Sequence, residues 1–488
     1  MSVSLYLQYA LPNCGHIPQT CRGSHALTTA AARPAVKKPD LINDPVGVTL
    51  YRTAVPTTIG AIAVIAYYLA NTFFVSLLGT DQLAAISFTF PATILFTYFG
   101  VGLGIGTSAL VGRAIGSQNP EQACEITFAS MAMGLLLGLL LMIPALLSID
   151  LVFPMLGARP ERMALIHEYM SIWYVGMPLQ LMQFSGTAVI RATGNAKLHG
   201  KLMTISAIIN AILDPLLIFG IGPWHGMGIG GAALATVIAW LFTIIVICYQ
   251  LGVKEQLLSF KLPEFPLLME SWRKLLVITA PAALANMITP MATGVLTATL
   301  AVYGPEAVAA YGVASRLEAF IMIVVLGMSM SVPPFISQNF GAHHYDRVRQ
   351  GLRMALKFVL IWQLALYAIV AVLAPWIAAV FSQDPSVKDT ITMVLRIMPA
   401  SYAFQGMVVL SASSFNALHA PRNGLITSLL RFFVFYVPLA LIGNHVAGMK
   451  GLFIGAALGN VLAGVVITKW ISAYTKSLLS KQPRPAQA

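Results

Sequence analysis

Charge is what this chain has least of. Only 9% of its 488 residues are Asp, Glu, Lys or Arg, against roughly 25% in an ordinary soluble domain. Acids are the scarcer sign, 17 against 29 bases. Cysteine is also rare, and Cys14, Cys21, Cys124 and Cys248 show neither metal-ligand spacing nor a disulfide framework. No Walker motif, nucleophile elbow or zinc motif is present, so nothing supports ATP drive, hydrolysis, a cofactor or a bound metal. Nor do clustered polar groups of the kind a membrane-embedded enzyme needs occur, and we read the chain as a non-enzyme. What is abundant is apolar surface: 58% of residues are hydrophobic, in charge-free runs along nearly the whole length. Water cannot accommodate that much apolar surface, and the bilayer is its natural solvent.

The runs predict twelve spans, near 54–79, 84–112, 126–149, 167–190, 200–221, 228–252, 275–302, 310–337, 355–382, 393–417, 424–446 and 451–472. With an even number of spans, both termini lie on one side. Most Lys and Arg fall on that side, among them Arg113, Arg191, Lys197, Lys201, Arg347 and Arg422. Only Arg159, Arg162, Lys388, Arg396 and Lys450 fall opposite, and Arg316 alone lies well inside a span. Arg431, at the margin of the eleventh span, is counted with the majority. This is a positive-inside pattern with both termini cytoplasmic. It predicts a multi-pass protein of a bacterial inner membrane. It also accounts for the net charge of +12 without nucleic acid; membrane lipids are the surroundings it implies, and a monomer is expected.

The chain repeats itself at an offset of 225 residues. Pro56 matches Pro281, residues 79–85 (GTDQLAA) match 304–310 (GPEAVAA), Gly102 matches Gly327, Gly116 matches Gly341, and residues 229–232 (IGGA) match 454–457 (IGAA). A weaker match pairs 191–197 with 416–422. Each half holds six spans, so both enter the membrane in the same direction, and a binding site is expected where the two parallel repeats meet. The predicted fold is an all-α membrane protein of about twelve transmembrane helices in two six-helix bundles related by the repeat. Its parts are a disordered tail over 1–44, a first bundle over 45–252, a cytoplasmic linker over 253–274, a second bundle over 275–476 and a tail over 477–488.

Several stretches resemble the multidrug and toxic compound extrusion family. They are the end of the first span (residues 72–85), the Gly-rich second span leading to VGRAIG at 111–116, RATGN at 191–195, NAILDP at 210–215, GGAALAT at 230–236, YGVASRLE at 311–318 and QNFGA at 338–342. Their order and spacing cover roughly 45–475. The resemblance implies a V-shaped cavity between two bundles and export of organic cations in exchange for sodium or protons. It also implies roles for two residues: Asn71 stands where many members carry a first-span aspartate, and Thr236 stands where members place a further hydroxyl ligand. An amide neither takes up a proton near neutral pH nor supplies negative charge, so the first-span acid is missing here.

The residues add their own case. Charged groups inside a span are costly and mark function, and only two acids, Asp214 and Glu318, fall well within spans. Asp214 lies four residues after Asn210 and shares its helix face, and Pro215 disturbs the backbone bonding beside it. A carboxylate, an amide oxygen and freed carbonyls are hard ligands suited to a small cation. We therefore assign cation coupling to Asp214, Asn210, Thr236 and Asn71, with the ion being Na+ or H+. The substrate cavity is expected to use Glu318, Arg316, Gln405 and Asn286. Two readings of the cargo remain open: a secondary antiporter exporting amphipathic organic cations, which two acids and one Arg favour, or a flippase for lipid-linked precursors, whose anionic cargo calls for several basic cavity residues.

Overall fold

The computed structural model describes residues 39–221, 224–259 and 263–480. Most of the expected N-terminal tail, up to residue 38, and the last eight residues of the C-terminal tail lie outside the described residues. The first half comprises α1 (Val46–Ser76), α2 (Thr80–Gly116), α3 (Pro120–Leu147), the short α4 (Ile149–Met155), α5 (Pro160–Ala192), α6 (Ala196–Phe219) and α7 (Gly228–Tyr249). Between α6 and α7 a two-residue strand pair, β1 (Gly220–Ile221) and β2 (Trp224–His225), runs antiparallel. The second half comprises α8 (Phe265–Leu300), α9 (Pro305–Ile321), α10 (Ile323–Gly341), α11 (Tyr345–Phe381), α12 (Pro385–Ile397), α13 (Pro399–Ala417), α14 (Pro421–Leu429), a seven-residue π-helix (Leu430–Tyr436) and α15 (Val437–Leu479).

Among the described residues, nine helices are long and apolar enough to cross a bilayer alone, and joining the pair α12–α13, bent by 48°, makes ten. Two more complete the predicted twelve. One is α5, whose Gln, His and Arg side chains lower its apolarity. The other arises because residues 421–479 fold back on themselves at Ala447 and Gly448, whose backbones are not helical. Spans eight and ten are each made of two helices, broken at Met322 and Met398. Helix α8 starts at Phe265, so residues 265–274 of the expected linker are helical.

The repeat is visible in the backbone. Three left-handed turns recur at the same offset: Gly79 and Gly304 (φ 135° and 101°), Gln118 and His343 (55° and 59°), and Gly194 and His419 (79° and 56°). The first pair needs glycine, since these φ values exclude side chains. The later pairs accept Gln and His, although L-residues seldom adopt positive φ. Identical connections therefore orient equivalent helices in each lobe even where the residues differ.

We call the end on which the described chain begins and finishes the proximal end. The two lobes are joined there. Gln338 Nε2 of α10 donates to the Ala192 carbonyl at 2.6 Å, and Trp272 Nε1 of α8 donates to the Ala129 carbonyl at 2.9 Å. Small residues let the backbones approach: a Cβ on Gly116 would sit 2.0 Å from the Gln338 carbonyl, and one on Gly341 would sit 2.3 Å from the Arg113 carbonyl. The segment before α1 completes this closure, since Asn339 Nδ2 donates to the Leu41 carbonyl at 2.9 Å and Arg347 to the Asp44 carbonyl at 2.6 Å.

Candidate functional site: a cavity between two lobes

A cavity of about 360 Å³ lies between the lobes, lined by residues of both. Its first-lobe wall holds a polar cluster contributed by three helices. Pro215 has no N–H, so the helical carbonyl four residues earlier loses its partner beside Asp214. Asp214 itself is fully buried (0% exposed). Asn71 Nδ2 of α1 donates to its Oδ2 at 3.0 Å. With its amide nitrogen facing the carboxylate, Asn210 donates to both Asp214 oxygens at 3.0 and 3.1 Å, and its oxygen accepts from Thr236 Oγ1 at 3.1 Å. That orientation gives an acceptor-only carboxylate the donors it requires. Tyr67 of α1 closes the cluster through its hydroxyl, 3.1 Å from Thr236 Oγ1. The structure thus brings together Asn71, Asn210, Asp214 and Thr236, residues up to 165 positions apart in the sequence. Tyr67, Asn210 and Thr236 also line the cavity, so the cluster and any cargo share residues.

The second lobe carries a different network. Glu318 Oε1 accepts from Gln405 Nε2 at 2.8 Å and its Oε2 from the Tyr402 hydroxyl at 3.3 Å. Gln405 Oε1 accepts from Asn460 Nδ2 at 3.3 Å, and Arg431 Nε donates to Asn460 Oδ1 at 3.0 Å. Arg431 also stands over the Tyr436 ring, 5.7 Å from its centre. Glu318 and Gln405 are therefore engaged with each other behind the wall, and Arg431 is the charged member that lines the cavity. Asn286 lines the cavity as well, while its amide donates to the Ala282 carbonyl of its own helix at 2.8 Å. Arg316 is exposed on α9 and does not line the cavity.

Two cavity cations escaped the sequence reading. Arg191, in the last turn of α5, was counted with a loop, and Arg431 was placed at a span margin. Both line the cavity. Neither forms an ion pair among the described residues. The signal for Arg431 was there: it lies ten residues after Pro421, at 1.5 Å per residue about 15 Å into the helix, deep enough for a charge to mark function. It also sits in the π-helix, a geometry concentrated at functional sites. For Arg191 there was no such signal, because only the fold turns the end of α5 inward.

The comparisons with known proteins follow this architecture. The family model MatE matches residues 56–216 and again 281–442, two blocks whose starts are 225 residues apart. The FAD transporter of Shewanella oneidensis is 39% identical over 425 residues, covering 87% of this chain and 94% of that protein. The multidrug export protein MepA of Staphylococcus saprophyticus is 26% identical, covering 82% and 87%. The crystal structure of the Vibrio cholerae MATE transporter VcmN in its bent form superposes with a TM-score of 0.84 at 33% identity, covering 89% of this chain and 98% of that one. With a twelve-span repeat, a cavity between its halves and a family model matched over both, the chain belongs to the MatE family, the multidrug and toxic compound extrusion transporters.

Proposed function

We propose that this chain exports an anionic metabolite bearing a large aromatic ring system, of the flavin nucleotide class, and that cation uptake at Asp214 drives the export. The observation that carries the cargo reading is a pair of guanidinium groups with no carboxylate in direct contact, Arg191 and Arg431, one from each lobe, facing a shared cavity. A cation without a carboxylate partner in a membrane interior is expensive; an anionic cargo supplies what is missing. The aromatic side chains Tyr67, Tyr68, Phe184 and Trp240 on the same walls suit a planar ring. The 39% identical relative, named a FAD transporter, fits this reading. The expectation of an organic cation leaned on Arg316 being the only cavity cation, and in this reading it gives way to the two arginines. The aromatic walls alone are the feature that favours amphipathic cations as a second reading.

For coupling, Asp214 is the one acid of the cluster, and its carboxylate can take up a proton on an oxygen lone pair that the Asn71 and Asn210 hydrogen bonds leave free. Na+ would instead draw oxygens from the two amides and the Thr236 hydroxyl. We take the ion to be a proton, which needs the carboxylate alone. Because a ligand shifts an equilibrium only by differential binding, the residues shared by ion cluster and cavity, Tyr67, Asn210 and Thr236, are the means of coupling. We place the protein in a bacterial inner membrane as a monomer, with the proximal end cytoplasmic as the basic residues require.

The test is transport of FAD, FMN and ethidium into everted vesicles carrying the chain, with an uncoupler in one arm and sodium pulses in another. Uncoupler-sensitive movement of FAD or FMN is the expected result. Ethidium transport without flavin nucleotide transport overturns the cargo reading, and sodium-driven movement that survives the uncoupler overturns the proton.

A further inference from the structure

We infer that the proximal floor of the cavity is a phosphoryl-binding subsite formed by Arg191, His199 and Ser108. The inference rests on the proposed cargo and names which end of it goes where.

The three side chains come from α5, α6 and α2, and all line the cavity. Arg191 reaches α2 at Gly104, where a Cβ would stand in ordinary contact 3.6 Å from its Nη2, and Ser108 lies one turn farther along the same face of α2. His199, 2% exposed, places Nε2 3.5 Å from Arg191 Nη1. Arginine has no acceptor, so the ring nitrogen facing it carries the lone pair and the proton sits on Nδ1. That Nδ1–H is buried and has no hydrogen-bond partner. Ser108 Oγ, on a residue 4% exposed, is likewise buried and unpartnered. Leaving a buried donor unsatisfied is costly, so two of them on the wall that holds a guanidinium with no carboxylate in contact mark a place shaped for a ligand.

The chemistry of that ligand follows. A guanidinium, an imidazole N–H and a hydroxyl can all donate, and no carboxylate completes the set, so the site offers a cation no anionic ligand and sets a positive charge beside it. A phosphoryl group offers three oxygens to donors on three helices, and arginine's fork matches it. The other unpartnered atoms along this cavity, Gln180 Oε1, Gln183 Oε1 and Asn416 Oδ1, are acceptors as placed. They suit the hydroxyl and N–H groups of the rest of such a molecule. Arg431, in the other lobe and farther from the proximal end, takes no part in this subsite.

The experiment is equilibrium binding of FMN and riboflavin, which differ by one phosphate, to the full chain in lipid nanodiscs, read by flavin fluorescence. Wild type should prefer FMN by about 10–100-fold, as hydrogen bonds to a charged group imply. Ser108→Ala, His199→Phe and Arg191→Gln should each lower that ratio, Arg191→Gln to near one. Ser108→Ala removes a single atom and guards against loss of fold. If wild type discriminates and all three variants discriminate equally well, the subsite is overturned while the flavin reading stands. If wild type binds neither flavin, a thermal shift by inorganic pyrophosphate that disappears in Ser108→Ala and Arg191→Gln supports the subsite with another cargo. No shift with pyrophosphate overturns it.

Discussion

The two lobes share a frame and differ in chemistry. At the offset of 225, Asp214 corresponds to Leu439, Asn210 to Phe435, Asn71 to Leu296 and Thr236 to Val461, so no member of the first-lobe cluster is repeated. The second lobe's Arg431 and Asn460 correspond to Ser206 and Ala235. The turns and the close crossings recur: Gly116 meets the second lobe and Gly341 meets the first at nearly equal distances. A duplicated scaffold thus holds a buried acid on one side and a network ending in a guanidinium on the other. The lesson is that the repeat preserves what helices need to pack, namely small residues and turn geometry, and leaves the cavity-facing positions free to specialise.

The largest effect that would sharpen this contrast comes from the acid. Asp214→Asn should reduce ion-driven export at least tenfold, about 1.4 kcal/mol, while Leu439→Asn at the mirrored position should cost about 1 kcal/mol of packing. Everted-vesicle transport of both variants decides it. An active Asp214→Asn protein would end the asymmetry and shift attention to Glu318. Next is Arg431→Met, which keeps the stem and removes the charge. FMN binding should weaken by about 10–100-fold, measured by fluorescence titration, and stability should fall by about 1–3 kcal/mol because the buried Asn460 Oδ1 loses its donor. Unchanged FMN affinity would reduce the second lobe to a wall.

Gly116→Ala and Gly341→Ala test the shared frame. Each new methyl meets a carbonyl of the opposite lobe, and overpacking of this kind costs about 1–3 kcal/mol. The two variants should lose similar thermal stability in detergent. A large loss in one and none in the other would show that the crossing is not symmetric.

The smallest effect concerns the repeated turn at Gly194 and His419. His419, outside the spans, stacks on Phe340 with ring centres 6.1 Å apart. Burial, aided by the Arg113 charge, lowers its pKa to about 4. The unfolded chain therefore binds this proton first. Its contribution is fully present above about pH 6.5 and is lost at up to about 1.4 kcal/mol per pH unit as the pH falls toward 4. His419→Asn tolerates the left-handed backbone and should flatten that part of the melting-temperature profile relative to wild type. Identical profiles would remove His419 from the acid response.

Much of this was legible in the sequence. Scarce charge and long apolar runs dictate a membrane-embedded all-α chain because backbone polar groups must be satisfied within the bilayer. The 225-residue offset dictates two parallel bundles. Asp214 and Asn210 were readable as a pair because four residues return a helix to the same face. What the sequence could not decide was which distant side chains face one another. Asn71 and Thr236 come to Asp214 by three-helix packing. Arg316 and Arg191 exchange the places that linear position suggested: the arginine within a predicted span is exposed and away from the cavity, and the one at a helix end lines it. Hydropathy records how deep a residue lies, but the direction in which it points depends on how helices rotate against one another. That rotation is set by the glycine crossings and the turns between helices, and only the tertiary structure combines them.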